Sequence, residues 1–188
     1  ETSREELGRR GVARPVIRVP ADPALLLRPS PDERVEGWFH RHGLDPAGDY
    51  VMYFLRPWPG FDGKAAAFAA AAREVAGRRG VRPIFMALEP GRGMDACRAV
   101  ARAVGGEEAP VLPVPTDGEL IVRILGRVRA VVSMRLHALI FAAAAGTPVV
   151  GAVYDPKVQA FLDYLGQKRY MALEEVTEAR LLAAIEEA

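Results

Sequence analysis

Residues 130–153, AVVSMRLHALIFAAAAGTPVVGAV, decide the fold of this chain. The stretch begins with a short apolar run at 130–133 and ends with another at 148–153, and both are typical of strands buried on two faces. Between them, Leu136–Ala145 has the length and composition of a helix, which Gly146 ends. A strand, a helix and a second strand in this order predict a right-handed βαβ unit of a parallel sheet.

The same alternation continues on both sides of this stretch. The other predicted strands are 50–55, 82–88, 109–113 and 170–171. The other predicted helices are 32–42, 63–79, 93–104, 117–127, 155–165 and 174–187. Because strands that alternate with helices of about 10–15 residues form βαβ units, the sequence predicts an α/β fold: a Rossmann-like, doubly wound parallel sheet with helices on both faces.

Residues 1–31 are predicted to be a segment that enters the domain, and the domain itself is predicted to span residues 32–188. The first ten residues are polar and have a helical pattern, and a short β-like run follows at Val16–Val19. The chain then has prolines at positions 20, 23, 29 and 31, which break both strands and helices.

The composition excludes several classes of protein. Among 188 residues, 25 Lys and Arg balance 24 Asp and Glu, so the net charge is +1, and the large basic excess of a nucleic-acid-binding domain is missing. The single cysteine, Cys97, cannot form an internal disulfide. No apolar run approaches the roughly 18–20 residues that span a bilayer, and the first ten residues lack the apolar core of a signal peptide. We therefore expect a soluble, cytoplasmic protein, and no metal-ligand or P-loop spacing occurs in it.

Three polar turns are the candidate ligand-binding segments. In open parallel sheets, ligands bind beyond the carboxyl ends of the strands. The turns at 55–62, 133–139 and 153–158 each follow an apolar strand, and the turn at 89–95 is a weaker fourth candidate.

The turn at Ser133–His137 is the strongest of these candidates. It leaves no room for a long loop before the apolar helix. On a regular helix Arg135 and His137 would lie about 200° apart, so they converge on one ligand only if Arg135 lies in the turn and His137 in the first helical turn. The start of a helix offers unpaired N–H donors and a positive dipole end, and a guanidinium beside it favours phosphate or carboxylate. The alternative is structural: Arg135 pairs with a carboxylate on a helix face, and His137 is a buried histidine with satisfied hydrogen bonds.

The other two turns contribute Arg56, Tyr154 and Lys157. Arg56 directly follows a buried strand, so its side chain should emerge at the carboxyl edge of the sheet, with Trp58 as the wall of a pocket or, alternatively, as the cover of a helix. Lys157 lies in the first turn of a helix, where the dipole disfavours a cation. This placement indicates an anionic ligand nearby.

Two separated motifs together resemble one known family. The stretch RLHALI at 135–140 followed by YDPKV at 154–158 resembles the C-terminal half of the polysaccharide pyruvyl transferases, and most closely their bacterial cell-wall branch. The motifs FLRPW at 54–58 and ADPALLL at 21–27 fit the same family. The resemblance extends from about Asp22 to Gly166.

The resemblance implies a fold, a reaction and a set of partners. Members have a fold like the two-domain GT-B glycosyltransferases, and they transfer a pyruvyl group from phosphoenolpyruvate to sugar hydroxyls as a ketal. It implies that Arg135, Leu136 and His137 lie at the phosphoenolpyruvate site, that Arg56 also binds an anion, and that an N-terminal half of the same protein holds the acceptor. The cell-wall branch further implies a lipid-linked saccharide acceptor at the inner membrane face. No cofactor is expected besides phosphoenolpyruvate as donor substrate. The imidazole of His137 suits proton transfer near neutral pH.

Two alternative functions are compatible with the same pattern. The domain could bind the diphosphate of a nucleotide sugar, as in a glycosyltransferase, although no glutamate follows within the helix at 136–145 to read a ribose. It could also be a non-enzymatic domain for subunit association or regulation, with Trp58, Phe61 and Tyr154 as an exposed apolar patch.

Overall fold

One parallel sheet organises the part of the chain that the computed structural model describes, which is residues 2–12, 14, 16–18, 20–89, 91–105 and 109–188. Its six strands have the order β3-β2-β1-β4-β5-β6. They are β1 (Tyr50–Phe54), β2 (Arg82–Ala87), β3 (Val111–Pro113), β4 (Ala130–Ser133), β5 (Val149–Val153) and β6 (Tyr170–Ala172). Every described pairing is parallel. The doubly wound, Rossmann-like sheet is therefore confirmed.

Helices cover both faces of this sheet. They are α1 (Thr2–Arg9), α2 (Asp32–Arg41), α3 (Ala65–Arg79), α4 (Arg92–Val104), α5 (Gly118–Leu125), α6 (Leu136–Ala145), α7 (Pro156–Tyr164) and α8 (Glu178–Glu186). Side chains of α3, α4 and α8 form one core with one face of the strands, and α2, α5, α6 and α7 form a second core with the other face. β1 shows the division directly, because Val51 and Tyr53 belong to the first core while Met52 and Phe54 belong to the second.

The strand order reverses between β1 and β4. In open α/β sheets, ligands bind beside the carboxyl ends of the strands at such a reversal. From β1 the chain continues to β2 on one side, whereas β4 continues to β5 on the other. Phe54 and Ser133, the last residues of β1 and β4, are paired in register. The N–H of Met134 donates to the carbonyl of Phe54 at 3.0 Å. The turns after β1 and β4 therefore leave the sheet side by side.

The segment before residue 32 differs in part from its prediction. The predicted run at Val16–Val19 is not a strand over residues 16–18, and Val16 is 85% exposed because no neighbouring strand pairs with it; Val19 lies outside the described residues. A 3₁₀ turn at Pro23–Leu26 instead packs on α6. The N–H of Ser30 donates to the carbonyl of Glu119 at 3.1 Å.

Some predicted elements are shorter in the structure than in the sequence pattern. β3 begins at Val111, after Pro110, rather than at residue 109. The last predicted helix, 174–187, divides into a 3₁₀ turn at Leu173–Glu175 and α8, because Thr177 accepts a hydrogen bond from the N–H of Arg180 and caps a new helix start.

Two structural features are absent from the described residues. None of their helices combines the length and the apolar character that crossing a bilayer requires. They also contain no group of three or more His, Cys, Asp or Glu side chains placed to hold a metal ion.

Candidate functional site

Arg56 lies at the carboxyl edge, two residues after the end of β1. Its Nη1 donates a hydrogen bond of 2.9 Å to the hydroxyl of Tyr154, which follows β5. Because β4 lies between β1 and β5, this hydrogen bond spans the carboxyl end of β4. The expectation that Arg56 emerges at this edge is confirmed.

Two aromatic rings hold the guanidinium of Arg56. The Cζ atom lies 5.2 Å from the ring centroid of Trp58 and 5.2 Å from that of Tyr154, and the two rings are 4.5 Å apart. Both distances are within the range of cation–π attraction. Trp58 is 39% exposed, so it covers the guanidinium rather than a helix.

One edge of this guanidinium has no partner among the described residues. Nε of Arg56 is buried and makes no hydrogen bond there, and the recorded hydrogen bond uses Nη1 alone. Nε and Nη2 carry parallel N–H groups, the pair that binds a carboxylate or phosphate through two hydrogen bonds. A buried donor without a partner costs free energy. The Nε–H of Arg56 therefore keeps a hydrogen-bonding capacity that no described residue uses.

The start of α6 is a second group of donors at the same edge. The hydroxyl of Ser133 accepts from the N–H of Arg135 at 2.8 Å and donates to its carbonyl at 3.0 Å, which fixes the turn. Arg135 is the N-cap residue and no side chain caps the helix, whereas Asp117 caps α5 and Asp155 caps α7. The first backbone N–H groups of α6 are thus available to an anion.

Arg135 has a partner that the sequence did not predict. Its Nη1 lies 3.1 Å from a carboxylate oxygen of Glu89, in the turn after β2. Since β1 separates β2 from β4, this ion pair spans the carboxyl end of β1. The signal in the sequence was weak: Glu89 follows the strand beside β1, but its turn was the least favoured of the four candidates. The predicted alternative of a carboxylate on a helix face is wrong in its location, because Glu89 lies in a turn.

His137 lies in the first turn of α6 and is exposed. It is therefore not the buried histidine of the structural alternative. Together with Arg135 it lines a cleft of about 300 Å³, which α5 and the turn before it close on the other side through Thr116, Gly118 and Ile121. The histidine and Arg135 thus face a common space that solvent can enter.

Lys157 and Leu136 have local structural explanations. Nζ of Lys157 lies 3.5 Å from the carboxylate of Asp155 and is largely exposed, so a neighbouring acid offsets its position against the dipole of α7. Leu136 starts α6, and its side chain packs on the second core.

The structure thus forms two sets from the predicted residues. Arg56 contacts Tyr154, and Arg135 shares a cleft with His137. Among the described residues no hydrogen bond joins Arg56 to Arg135 or to His137. The two sets lie side by side, because Arg56 follows β1, Arg135 follows β4, and these strands are paired. Each guanidinium has its own protein partner.

The single cysteine, Cys97, packs against the ends of β1 and β2. Cys97, on α4, is buried, and its Sγ lies 3.7 Å from the carbonyl of Met86 and 4.0 Å from that of Leu55. Burial raises the pKa of the Cys97 thiol to about 11. The side chain therefore stays a neutral thiol at physiological pH and packs beneath the turns that carry Arg56 and Glu89.

A larger cavity of about 610 Å³ lies at the opposite, amino edge of the sheet, next to residues that precede the strands. Arg129 there donates to Asp49 at 2.7 Å, and this hydrogen bond holds the pKa of Asp49 below its ordinary value. The charges of that pair are already balanced. Among the described residues, Nε of Arg169, just before β6, is also buried without a partner. The carboxyl edge remains the better candidate, because Arg56, Arg135 and the start of α6 lie together there.

Comparison with known proteins supports the fold and identifies the family. A family model described as polysaccharide pyruvyl transferase matches residues 1–156. No curated protein matches the chain at a significant level.

Among solved structures, the UDP-GlcNAc 2-epimerase of Methanocaldococcus jannaschii, in complex with UDP-GlcNAc and UDP, superposes with a TM-score of 0.73 at 13% identity. The match covers 98% of this chain and 51% of the epimerase. A structure described as the basis of EarP-mediated arginine glycosylation of translation elongation factor EF-P gives a TM-score of 0.53 at 14% identity, over 90% of this chain and 61% of that one.

These structural similarities concern the fold alone, and the chain spans about half the length of the epimerase. The family match covers most of the chain, including RLH at 135–137 and the tyrosine that binds Arg56. The chain therefore belongs to the polysaccharide pyruvyl transferase family.

Proposed function

We propose that this chain is the donor-binding domain of an enzyme that transfers a pyruvyl group from phosphoenolpyruvate to a polysaccharide sugar, forming a ketal. The observation that carries the proposal is the pair of anion-binding groups at adjacent strand ends. Among the described residues, no partner is present for the buried Nε of Arg56, and no side-chain hydrogen bond caps the start of α6 beside Arg135.

Phosphoenolpyruvate suits such a pair. It carries a carboxylate and a phosphate on the same three-carbon unit, so its site needs two sets of donors a short distance apart. The Nε and Nη2 of Arg56 fit one anionic group through two parallel hydrogen bonds. The start of α6 and Arg135 fit the other, with Leu136 contributing its backbone N–H.

The proposed reaction adds two hydroxyls of one sugar to C2 of the donor. A proton is added to C3 of the enol, the first hydroxyl oxygen bonds to C2 and loses its proton, and the bond from C2 to the phosphate oxygen breaks. The second hydroxyl oxygen then bonds to C2 and loses its proton, which leaves a cyclic ketal and inorganic phosphate. Arginine side chains stabilise the charge on the departing phosphate.

His137 is the proposed proton carrier in these steps. It is exposed, lies on the first turn of α6 and lines the cleft that contains Arg135. An imidazole in that position can give a proton to C3 or take one from an attacking hydroxyl. Tyr154 binds Arg56, and Lys157 adds a positive charge near the same edge.

The acceptor side of the reaction is proposed to come from outside the domain at 32–188. In two-domain enzymes of this architecture, the ligand lies in the crevice between two halves. We place the saccharide acceptor, lipid-linked as in the cell-wall branch and at the inner membrane face, against an N-terminal half of the same protein. Residues 1–31 would enter the donor domain from that half.

Ligand binding by this chain tests the donor assignment. A donor at a hundredfold excess over its Kd should raise the Tm by about 5–10 °C. We expect phosphoenolpyruvate to raise the Tm by this amount, and UDP and GDP to raise it only slightly. The variant Arg135→Ala should reduce the rise in Tm with phosphoenolpyruvate. The control Arg98→Ala, at an exposed position of α4, should leave that rise unchanged. A shift with UDP alone would contradict the proposal.

Turnover in the full-length enzyme tests the role of His137. The variant His137→Ala should retain phosphoenolpyruvate binding and lose at least about a hundredfold in kcat, since general acid–base catalysis contributes that much. Undiminished pyruvyl transfer by this variant would remove His137 from the chemistry.

A second candidate function is that of a nucleotide-sugar glycosyltransferase. The superposition with an epimerase solved with UDP-GlcNAc and UDP favours it as far as the fold is concerned, and an uncapped helix start also suits a diphosphate. The same Tm measurements distinguish the two candidates.

A further inference from the structure

We propose that Glu89 is an exchangeable counterion of Arg135, which the anionic donor must displace, so that Glu89 limits donor affinity and weakens it most for the most highly charged anions. This inference rests on the proposed function of the carboxyl edge as an anion site. It concerns a residue to which neither the sequence motifs nor the family match gives a role.

The geometry makes Glu89 the more mobile member of the pair. The side chain of Arg135 is 21% exposed and that of Glu89 is 49% exposed. Among the described residues, the Glu89 carboxylate makes its only recorded hydrogen bond to Arg135, at 3.1 Å. A half-exposed carboxylate with one partner can turn into water at little cost, because exposed ion pairs contribute little free energy.

Two other ion-paired carboxylates of the chain, those of Asp32 and Asp117, are built differently. The carboxylate of Asp32 binds both Arg123 and Arg127, and that of Asp117 binds Arg34 and also caps α5. Each of these carboxylates holds elements of the fold together. The Glu89 carboxylate instead reaches across the end of β1 to the arginine beside the uncapped start of α6.

An exchangeable carboxylate has a consequence for which anions bind. Glu89 and an anionic ligand compete for the same guanidinium, and the negative charge of Glu89 also repels the ligand. The cost of displacing Glu89 is the same for every anion that binds Arg135, whereas the repulsion grows with the charge of the ligand. Phosphoenolpyruvate should therefore be affected more than inorganic phosphate, and inorganic phosphate more than pyruvate.

Titration calorimetry of this chain with these three anions tests the proposal. At low ionic strength, Glu89→Gln should bind phosphoenolpyruvate about fivefold more tightly than the unaltered chain, inorganic phosphate by a smaller factor, and pyruvate by the smallest factor. High salt should reduce the gain. The control Glu74→Gln removes a carboxylate of α3 that pairs with Arg78 of the same helix at 2.6 Å, and should change each Kd less than twofold.

Two results would overturn the inference. One is unchanged or weaker phosphoenolpyruvate binding by Glu89→Gln when the Tm of the variant shows that it folds; the second variant Glu89→Ala guards against an effect peculiar to glutamine. The other is an equal gain for all three anions, which would mean that the charge of Glu89 does not act on the ligand and would remove the charge dependence from the inference. Failure of the unaltered chain to bind phosphoenolpyruvate would instead overturn the proposed function, and the phosphate titrations would still decide the role of Glu89.

Discussion

Arg56 and Arg135 occupy equivalent positions on adjacent strands, yet the protein holds them in different ways. Each lies two residues after one member of the registered pair Phe54 and Ser133. The guanidinium of Arg56 lies against two aromatic rings and a tyrosine hydroxyl, which orient it and leave its charge intact. That of Arg135 binds a carboxylate, which orients it and neutralises it. Aromatic partners thus prepare an arginine for an anion, whereas an acidic partner makes the anion compete.

The largest effect is expected at Arg56. Arg56→Lys should weaken phosphoenolpyruvate binding by about 30- to 100-fold, because an ammonium group cannot offer two parallel N–H donors and fits the aromatic pair less well. Titration calorimetry gives the Kd, and Arg98→Lys is the matched control on an exposed position of α4. A loss of less than threefold at Arg56 would mean that its charge, rather than its fixed orientation, binds the donor.

A smaller effect is expected at Tyr154. Tyr154→Phe keeps the ring that stacks on the guanidinium and removes the hydroxyl that accepts from Nη1. We expect about tenfold weaker phosphoenolpyruvate binding, the lower end of the range for one hydrogen bond to a charged group. Tyr164→Phe, at an exposed tyrosine of α7, should have no effect. If Tyr154→Phe has none either, the rings alone orient Arg56.

The smallest effect on binding is expected for Asp117→Ala, next to the cleft that Arg135 lines. Its carboxylate caps α5, which lines the cleft of His137, and its hydrogen bond from Arg34 holds the pKa of Asp117 below its ordinary value. Asp117→Ala should lower the Tm at pH 7 by about 2–4 °C and change the Kd of phosphoenolpyruvate less than twofold.

The stabilisation by the Asp117 carboxylate should depend on pH. A carboxyl whose pKa is lowered by folding stabilises the protein above its ordinary pKa, and this stabilisation disappears as the pH falls through the lowered value. The difference in Tm between Asp117→Ala and the unaltered chain should therefore shrink in acid. A difference that stays constant down to pH 2 would mean that the carboxylate charge does not contribute.

The fold could be predicted from the sequence because its signals are local. Apolar runs, glycine at helix ends and the Asp-Pro start of α7 each act within a few residues. Right-handed βαβ connections then predict a doubly wound sheet, whereas the strand order and its reversal between β1 and β4 were not predicted. The run at Val16–Val19 failed because strand formation needs a neighbouring strand, and none is there for residues 16–18.

The site could be predicted only as far as single turns. Which residue follows which strand is local, and so the positions of Arg56, Arg135 and His137 at the carboxyl edge followed from the pattern. Contacts between turns depend on side chains that cross a strand, as Arg56 does to reach Tyr154 and Glu89 does to reach Arg135. A single sequence contains no signal for such contacts.

The double hydrogen bond of Ser133 has a consequence for position 136. The N–H of Arg135 already donates to the hydroxyl of Ser133. The first backbone N–H that a ligand can use is therefore that of Leu136. Position 136 then acts through its main chain, and its aliphatic side chain serves the interior of the domain. An apolar replacement there would preserve recognition, whereas an imino acid would delete the amide while leaving the helix start intact.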